Sequence, residues 1–251
     1  MCSVIILRRP DHDWPVIIAA NRDEMADRPW RVPDRHWGDR PDVVAGMDEL
    51  SGGSWLGIND NGVIAGVLNR PHSLGPQAGK RTRGELVLEM LDHADAAEAA
   101  AAIADLDGSS YRGFNLFIAD NRDAFWVRST GEGIVDIAPI PDGVSMLTAH
   151  DLNDVSGPRT GRHLPRFRAA PAPEPDQTDS WFAWAALLAS RDSDPDAGPG
   201  SAMLVGSDTG FGTVSSSLMA LPAIGRAGIK PQWLFNSAPR DKAKFAAIPL
   251  D

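Results

Sequence analysis

Cys2 is the only cysteine among the 251 residues, and it directly follows Met1. Because the second side chain is small, removal of Met1 is expected, and it would leave a thiol and a free α-amino group on one residue. The thiolate is the nucleophilic form, and an α-amino group with a pKa of about 7.7–8.0 is a suitable general base. The two groups together need no histidine or separate triad. The alternative is a small buried residue that begins a strand.

A second group of reactive side chains is the tetrapeptide Asn21-Arg22-Asp23-Glu24. It follows an apolar run that a short turn separates from the run after Cys2, so the end of the second strand is expected near the beginning of the first. A carboxylate there would orient the amine. A guanidinium there would lower the thiol pKa or bind a substrate carboxylate. The alternative is a charged turn with internal ion pairs.

Two hairpins are predicted in the first 70 residues. The apolar runs CSVIILRR and PVIIAANRD flank the turn residues PDHDW, and both runs are apolar enough for strands buried on both faces. Asn61-Gly62 lies between SWLGIND and GVIAGVLNR and is the strongest short hairpin signal. The polar stretch RPWRVPDRHWGDRP between the hairpins is expected to be an ordered excursion rather than a sheet strand.

The remaining pattern predicts helices and strands in separate groups. Helices are predicted in TRGELVLEMLDHA, DAAEAAAAIADL, GPRTGRHLPRFRAA and DSWFAWAALLAS, with Pro165 weakening the third. Strands are predicted in GFNLFIAD, AFWVRS, GIVDIAPI, GVSMLTAH, SAMLVGS, TVSSSLMAL and PQWLFNS. This grouping favours the α+β class with largely antiparallel sheets, in one domain that spans residues 1–251.

Charge and composition exclude several classes of partner. There are 24 Lys and Arg against 34 Asp and Glu, a net charge of −10, which argues against binding to nucleic acid or attraction to anionic membranes. A single cysteine cannot form an internal disulfide, which suggests a reducing compartment such as the cytoplasm. The apolar run at the N-terminus is too short, and polar residues follow it too soon, for a signal peptide. No apolar run reaches the length of a membrane span.

Several of these segments, in this order, resemble one known family. Met1-Cys2 is followed by AANRDE, GGSWLGINDNGVIAGVLNR, TRGELV and GFNLFIAD, and the likeness resumes in GFGTVSSSLMAL. The set is similar to the NRDE family, the group of the Transport and Golgi organisation protein 2 homologues. That family is grouped with N-terminal nucleophile hydrolases of the cholylglycine hydrolase and penicillin V acylase type. The resemblance implies a four-layer αββα sandwich of two mainly antiparallel sheets.

The resemblance also implies roles for individual residues. Cys2 matches the amidase nucleophile, and Asp23 would contact its amine. Asn69 would help to form the oxyanion hole; the alternative is a turn residue at the end of a strand, before Arg70-Pro71. Asn21 and Arg22 are assigned to substrate binding.

Two positions depart from the family pattern. Many relatives have asparagine where this chain has Ala149, and arginine where it has Val214. His150 is next to the first position and is predicted to replace the missing donor in substrate binding, or else to be a surface histidine. Both changes weigh against ordinary amidase activity.

These observations predict hydrolysis of a nonpeptide carbon–nitrogen (amide) bond in a small acylated substrate. The alternative is a non-catalytic protein of the same fold that binds and traffics haem or an acyl-CoA-like lipid, as has been proposed for family members. Acyl transfer to a nucleophile other than water is a third possibility. The histidines lack metal-ligand spacing, so neither a metal nor a cofactor is expected. The sequence indicates neither the substrate nor the oligomeric state.

Overall fold

A computed structural model describes residues 2–206, 210–238 and 245–250. The chain divides into two compact units. The first unit contains Met1–Arg28 and Pro141–Pro249, and the second contains Pro29–Ile140. The first unit is therefore formed by two segments that are distant in the sequence.

The described residues form thirteen strands and four α-helices. The strands are β1 Ser3–Arg8, β2 Val16–Met25, β3 Trp30–Asp34, β4 Val43–Asp48, β5 Leu56–Asn59, β6 Ile64–Asn69, β7 Phe114–Ala119, β8 Ala124–Ser129, β9 Asp136–Pro139, β10 Gly143–Leu147, β11 Phe211–Leu221, β12 Gln232–Asn236 and β13 Ala246–Ala247. The helices are α1 Gly84–Leu91, α2 Ala96–Ala102, α3 Pro158–Ala169 and α4 Phe182–Leu188. All strand pairs in both sheets are antiparallel. The predicted α+β class with antiparallel sheets is confirmed.

The sheet of the first unit has six strands in the order β10-β1-β2-β11-β12-β13. The predicted hairpin of β1 and β2 is present, with Ser3 opposite Asn21 and Arg8 opposite Val16. Nearly every residue of these two strands is buried, as their continuous apolar runs predict for central strands. Strand β2 lies between β1 and β11, and its pairing with β1 ends at Asn21. The polar end of β2 beyond Asn21 pairs with β11.

Helices α3 and α4 contribute the apolar side chains that cover this sheet. Phe167 of α3 and Trp184 of α4 are fully buried in one cluster with Trp14 and Ile17. The Phe167 and Trp184 rings meet edge to face, with their centroids 5.4 Å apart. Helix α3 continues through Pro165 to Ala169, so the proline does not end the helix.

The second unit contains a seven-stranded sheet in the sequential order β3 to β9. The hairpin predicted at Asn61-Gly62 joins β5 and β6, and Gly62 has a φ of 84°, which glycine adopts without steric cost. Helices α1 and α2 pack their apolar faces against this sheet. Asp95 caps α2 by accepting a hydrogen bond from the Glu98 amide at 2.8 Å.

Two of the predicted elements are wrong. The segment RPWRVPDRHWGDRP contains the edge strand β3, which pairs with β4 through Trp30 opposite Asp48. An edge strand tolerates the polar residues and proline that argued against a strand there. The segment SAMLVGS is not a strand over its described residues. A 3-10 turn ends at Ser201, and the next residues are buried without sheet pairing.

Candidate functional site

Cys2 lies directly before β1, and the β1–β2 hairpin brings it to the end of β2. Its side chain is partly buried. The thiol donates a hydrogen bond to the backbone carbonyl of Asp23, with an Sγ–O distance of 3.6 Å. The structure therefore brings together Cys2 and Asp23, two of the three residues predicted to be catalytic.

The carboxylate of Asp23 is buried in a network of charge-assisted hydrogen bonds. Its Oδ1 accepts from the Thr213 hydroxyl at 2.7 Å, and its Oδ2 accepts from Arg159 Nη1 at 3.0 Å. Thr213 reaches it because Thr213 and Asp23 are opposite each other in β11 and β2. The side chains of Arg159 and Asp23 are only 5% and 0% exposed, so their ion pair offsets part of the cost of burying both charges.

Arg159 connects three parts of the first unit. Besides Asp23, its Nη1 donates to Ser3 Oγ at 2.8 Å, and its Nη2 donates to the Gly200 carbonyl at 2.7 Å. One guanidinium thus holds the beginning of β1, the end of β2 and the turn at Pro199–Ser201. Sequence reasoning missed Arg159, because it is one of several arginines in α3 and is 136 residues from Asp23.

The Arg159 contacts also establish which side chains share a face of the sheet. Ser3 and Asp23 both reach Arg159, so they lie on the face that α3 covers. Alternation along the strands then places Cys2 and Arg22 on the opposite face. In this arrangement Asp23 contacts Cys2 through its backbone carbonyl. Met1 lies outside the described residues, so the predicted contact between the Asp23 carboxylate and the Cys2 amine stays a prediction.

The side-chain amide of Asn21 is engaged within the protein. Its Nδ2 donates to the carbonyls of Leu188 and Met203, each at 2.9 Å. Its Oδ1 accepts from the Ser216 hydroxyl at 2.6 Å. These contacts favour a role in positioning β2 against its neighbours, and the substrate-binding role of Asn21 stays a prediction.

The charges around Cys2 have opposing effects on its thiol. Burial raises the pKa of the Cys2 thiol, and the negative charge of Asp23 raises it further, whereas the positive charge of Arg22 lowers it. Arg22 is itself buried, and its guanidinium lies 3.7 Å from the Glu24 carboxylate. The raised pKa favours the protonated thiol at neutral pH, which agrees with its role as the donor to Asp23.

The two departures from the family pattern lie at structured positions of the first unit. Ala149 is fully buried just after β10. His150 beside it is half-buried, and a Cβ added at Gly157 would lie 3.0 Å from its ring. Val214 lies at the irregularity in β11, between Thr213 and Ser215. The substrate-binding role of His150 stays a prediction.

Asn69, the third predicted catalytic residue, is the last residue of β6 in the second unit. It pairs with Phe114 at the beginning of β7, and the chain then enters the loop that leads to α1. Its oxyanion role stays a prediction.

Residues 2–206, 210–238 and 245–250 contain neither a metal-binding cluster nor a helix that could span a membrane. Within them, no group of three metal-ligating side chains comes together. None of the helices in these ranges combines the length and the apolar character needed to cross a bilayer.

The fold has relatives among solved structures. An N-acylethanolamine-hydrolyzing acid amidase ortholog from Caenorhabditis elegans superimposes with a TM-score of 0.57 at 12% identity, covering 87% of this chain and 92% of that one. A conjugated bile acid hydrolase from Clostridium perfringens, crystallised as its C2A mutant, gives a TM-score of 0.55 at 14% identity, covering 99% of this chain and 92% of that one. The chain thus has the fold of the N-terminal nucleophile hydrolases.

The sequence comparisons identify the family. The family model described as Transport and Golgi organisation 2 matches residues 1–177, and the chain belongs to that family. The Transport and Golgi organization protein 2 homologs of Bos taurus and Homo sapiens are 38% and 37% identical to it over 110 residues. That match covers 42% of this chain and 38% of each relative, so well over half of each relative's length lies outside the match.

Proposed function

We propose that the protein is an amidohydrolase that uses Cys2, freed of Met1, as an N-terminal nucleophile. One observation carries this proposal: the single thiol of the chain lies at the beginning of β1 and is hydrogen-bonded to Asp23 at the end of β2. The fold shared with N-terminal nucleophile hydrolases supports it. The bond cleaved is a nonpeptide carbon–nitrogen bond of a small acylated substrate.

The proposed reaction has two halves. The α-amine of Cys2 accepts the thiol proton while Sγ attacks the carbonyl carbon of the amide. The tetrahedral oxyanion is stabilised by Asn69 and by backbone N–H groups, and the carbon–nitrogen bond breaks as the amine proton passes to the leaving nitrogen. Water then attacks the thioester, which releases the acid and restores the thiol. Arg22 contacts a polar group of the substrate.

The buried pair of Arg159 and Asp23 has a positioning role in this proposal. Arg159 binds the Ser3 side chain directly after the nucleophile and the Asp23 carboxylate at the end of the neighbouring strand. A nucleophile must be held within a fraction of an ångström of its reactive position. A rigid guanidinium fork that binds both strand ends meets this requirement better than a flexible lysine would.

The names of the structural neighbours favour acyl amides as the substrate class. One neighbour hydrolyses N-acylethanolamines and the other hydrolyses conjugated bile acids. In the second structure the cysteine at position 2 was replaced by alanine, which matches the position of the single cysteine here. We further propose that the protein acts in the cytoplasm, since a chain whose single cysteine cannot form an internal disulfide suits a reducing compartment.

The experiment compares the wild-type protein with Cys2→Ala on a panel of N-acyl amides, with release of the free acid as the readout. We expect Cys2→Ala to lose activity by roughly 10³-fold or more, because no other residue supplies the nucleophile. Arg168→Ala, an exposed site on α3, is the control and should retain activity. Equal turnover by wild type and Cys2→Ala would refute the proposal.

A second candidate function is non-catalytic binding of haem or an acyl-CoA-like lipid. The specific observation in its favour is the raised thiol pKa of Cys2, together with the missing donors at Ala149 and Val214. Under this alternative, ligand affinity would be the same in wild type and Cys2→Ala, and no amide of the panel would be hydrolysed.

A further inference from the structure

An irregularity in β11 changes which face of the sheet its side chains occupy, close to the candidate site. Thr213 is opposite Asp23 and Ser215 is opposite Arg22, so β11 has one extra residue here. Residues two apart in a regular strand point to the same face, and directly opposed residues of paired strands share a face. The bulge therefore turns Ser215 to the face that carries Arg22 and the thiol, while Thr213 stays on the face that α3 covers.

Ser217 lies on the same face of the sheet as Ser215. It follows two residues later, where the register of β11 with β2 is regular. Ser216 between them points to the opposite face, where its hydroxyl donates to Asn21 Oδ1 at 2.6 Å. The face that carries Ser215 and Ser217 is here called the Cys2 face, because the nucleophile lies on it.

The hydroxyls of Ser215 and Ser217 are buried without a partner from the protein. The two residues are only 1% and 3% exposed. In the part of the chain that the structure describes, no group forms a hydrogen bond with either hydroxyl. Buried polar groups in folded proteins are nearly always hydrogen-bonded, and leaving one unpaired costs free energy. Two such hydroxyls on the Cys2 face are therefore explained by a ligand group that binds them.

The distance from Cys2 to these hydroxyls suits a small ligand. Ala20, opposite Ser217, carries only a methyl group and leaves room above β2. Strand β2 separates β1 from β11, so these two strands are about 10 Å apart. A carbonyl in contact with Sγ and a polar atom hydrogen-bonded to either serine would then be roughly 5–8 Å apart.

We propose that Ser215 and Ser217 bind a hydrogen-bonding oxygen of the ligand and thereby select substrates that carry one. This oxygen belongs either to the leaving amine or to the acyl group, since a serine hydroxyl binds both in the same way. The identification of the ligand as a substrate rests on the proposed function. The serine site itself does not, because neither serine takes part in breaking the carbon–nitrogen bond.

The test uses the full chain with Cys2→Ala, so that binding is measured without hydrolysis. N-butyloctanamide has no further oxygen, N-(3-hydroxypropyl)octanamide has a hydroxyl on the amine side, and N-butyl-6-hydroxyoctanamide has one on the acyl side. Affinities are measured by calorimetry in this background and with Ser215→Ala and Ser217→Ala added together. Ser216→Ala is the matched control, since Ser216 is equally buried in the same strand but its hydroxyl is bound to Asn21.

We expect at least one hydroxylated amide to bind more tightly than N-butyloctanamide. The double serine variant should reduce this preference about three- to tenfold, as expected for a lost hydrogen bond, and change the affinity for N-butyloctanamide less than twofold. Ser216→Ala should leave the preference unchanged. A reduced preference for N-(3-hydroxypropyl)octanamide alone places the oxygen on the leaving amine. A reduced preference for N-butyl-6-hydroxyoctanamide alone places it on the acyl group.

Thermal unfolding without ligand gives an independent readout of the same hydroxyls. Ser216→Ala removes a hydrogen bond that the protein has formed and should lower the melting temperature. Ser215→Ala and Ser217→Ala each remove a buried hydroxyl that the protein leaves unpaired. They should leave the melting temperature unchanged or raise it.

The proposal is overturned if neither hydroxylated amide is preferred, if none of the three amides binds, or if the preference survives in the double variant. It is also overturned if Ser215→Ala and Ser217→Ala each lower the melting temperature as much as Ser216→Ala, because the protein would then satisfy both hydroxyls itself. A preference that depends on the two serines, in a wild-type protein that hydrolyses no amide, would refute the proposed hydrolysis and leave the serine site standing.

Discussion

Arg159 and Asp23 form an ion pair that is almost completely removed from water. Such a pair is weak evidence of stabilisation in itself, because removing both charges from water costs several kcal/mol. The loss of one partner is a different matter, because it leaves the other buried charge without this ion pair. The pair is therefore best explained as a device that fixes the beginning of β1 against the end of β2.

We predict that Arg159→Met lowers the free energy of unfolding by about 3–5 kcal/mol, as expected for breaking one side of a buried pair. Arg162→Met, on the same helix, removes an exposed ion pair with Asp192 and should cost less than about 1 kcal/mol. Urea denaturation measures both changes. Similar losses in the two variants would show that the Arg159–Asp23 pair has no special role.

The thiol of Cys2 offers a second test at the residue scale. Because burial and the Asp23 charge raise its pKa, the rate of alkylation by iodoacetamide should keep rising above the ordinary thiol pKa of about 8.5. Arg22→Gln should move this profile to still higher pH, since Arg22 lowers the thiol pKa. The signal is unambiguous because the chain has one cysteine. A profile that reaches its plateau below pH 8 would contradict this description of the site.

Sequence reasoning located part of the site because that part is local. The short β1–β2 hairpin is enough to predict that Cys2 lies near Asp23, and the thiol-to-carbonyl contact agrees. The role of Arg159 could not be predicted from the sequence. Its contact with Asp23 is set by how α3 packs on the sheet, and no neighbouring residue in the sequence indicates that contact. The face of the sheet occupied by the Asp23 carboxylate was missed for the same reason.

At the scale of elements, the connection between β4 and β5 packs closely against the beginning of α1. A Cβ added at Gly53 would lie 2.5 Å from the Gly84 carbonyl carbon, and the Ser54 amide donates to the Gly84 carbonyl at 3.0 Å. This contact explains why the segments GGSW and TRGELV contain glycines at these positions. It also fixes the backbone next to Arg83.

We predict that Gly53→Ala destabilises the protein by about 1–3 kcal/mol, because backbone must move to admit the methyl group. Gly38→Ala is the matched control, since a Cβ at Gly38 meets nothing within 4 Å. It should be neutral or stabilise by up to about 1 kcal/mol through the unfolded chain. Thermal unfolding of both variants measures these changes in stability. If Gly53→Ala leaves the stability unchanged, the close contact is disproved.

Helix α3 also contains a buried histidine whose protonation is linked to stability. Burial, with a smaller effect of the Arg166 charge, lowers the pKa of His163 to about 4. Its Nε2 lies 3.1 Å from the Asp192 carbonyl. The native state therefore binds this proton less readily than the unfolded state, whose histidine pKa is about 6.5.

Stability that depends on neutral His163 is present above pH 6.5 and is lost as the pH falls from about 6.5 to 4. The loss is of order 3 kcal/mol across this interval. His163→Gln should remove this part of the pH dependence while leaving the contribution of the other histidines. Unfolding free energies of both proteins at pH 7 and pH 4.5 test the prediction. An identical pH dependence would refute it.

The predicted elements succeeded where local chemistry decides the structure and failed where position in the sheet decides it. Asn61-Gly62 formed its hairpin because the turn geometry requires residues of this type. The edge strand β3 was missed because its polar residues are tolerated only at an edge. The apolar segment Ala202–Val205 was wrongly predicted as a strand, because burial alone does not distinguish a strand from an irregular buried segment.

At the scale of the whole molecule, the sequence predicted the fold class through the order of its motifs rather than through any single one. The α+β class with antiparallel sheets is confirmed, and the single domain stays a prediction. The segment Pro29–Ile140 forms its own compact unit between the two parts of the first. Hydrophobic patterning identified strands in both units but could not show which strands belong to which sheet.

The central claim is that Cys2, once exposed as the first residue, attacks the carbonyl of an acyl amide. Intact-mass spectrometry of the purified protein, mixed briefly with an N-acyl amide that it turns over slowly, tests this claim most directly. We predict a mass lower by one methionine residue, with a fraction of molecules carrying one acyl group that is absent from Cys2→Ala. A protein that retains Met1 and gains no acyl group would contradict the account.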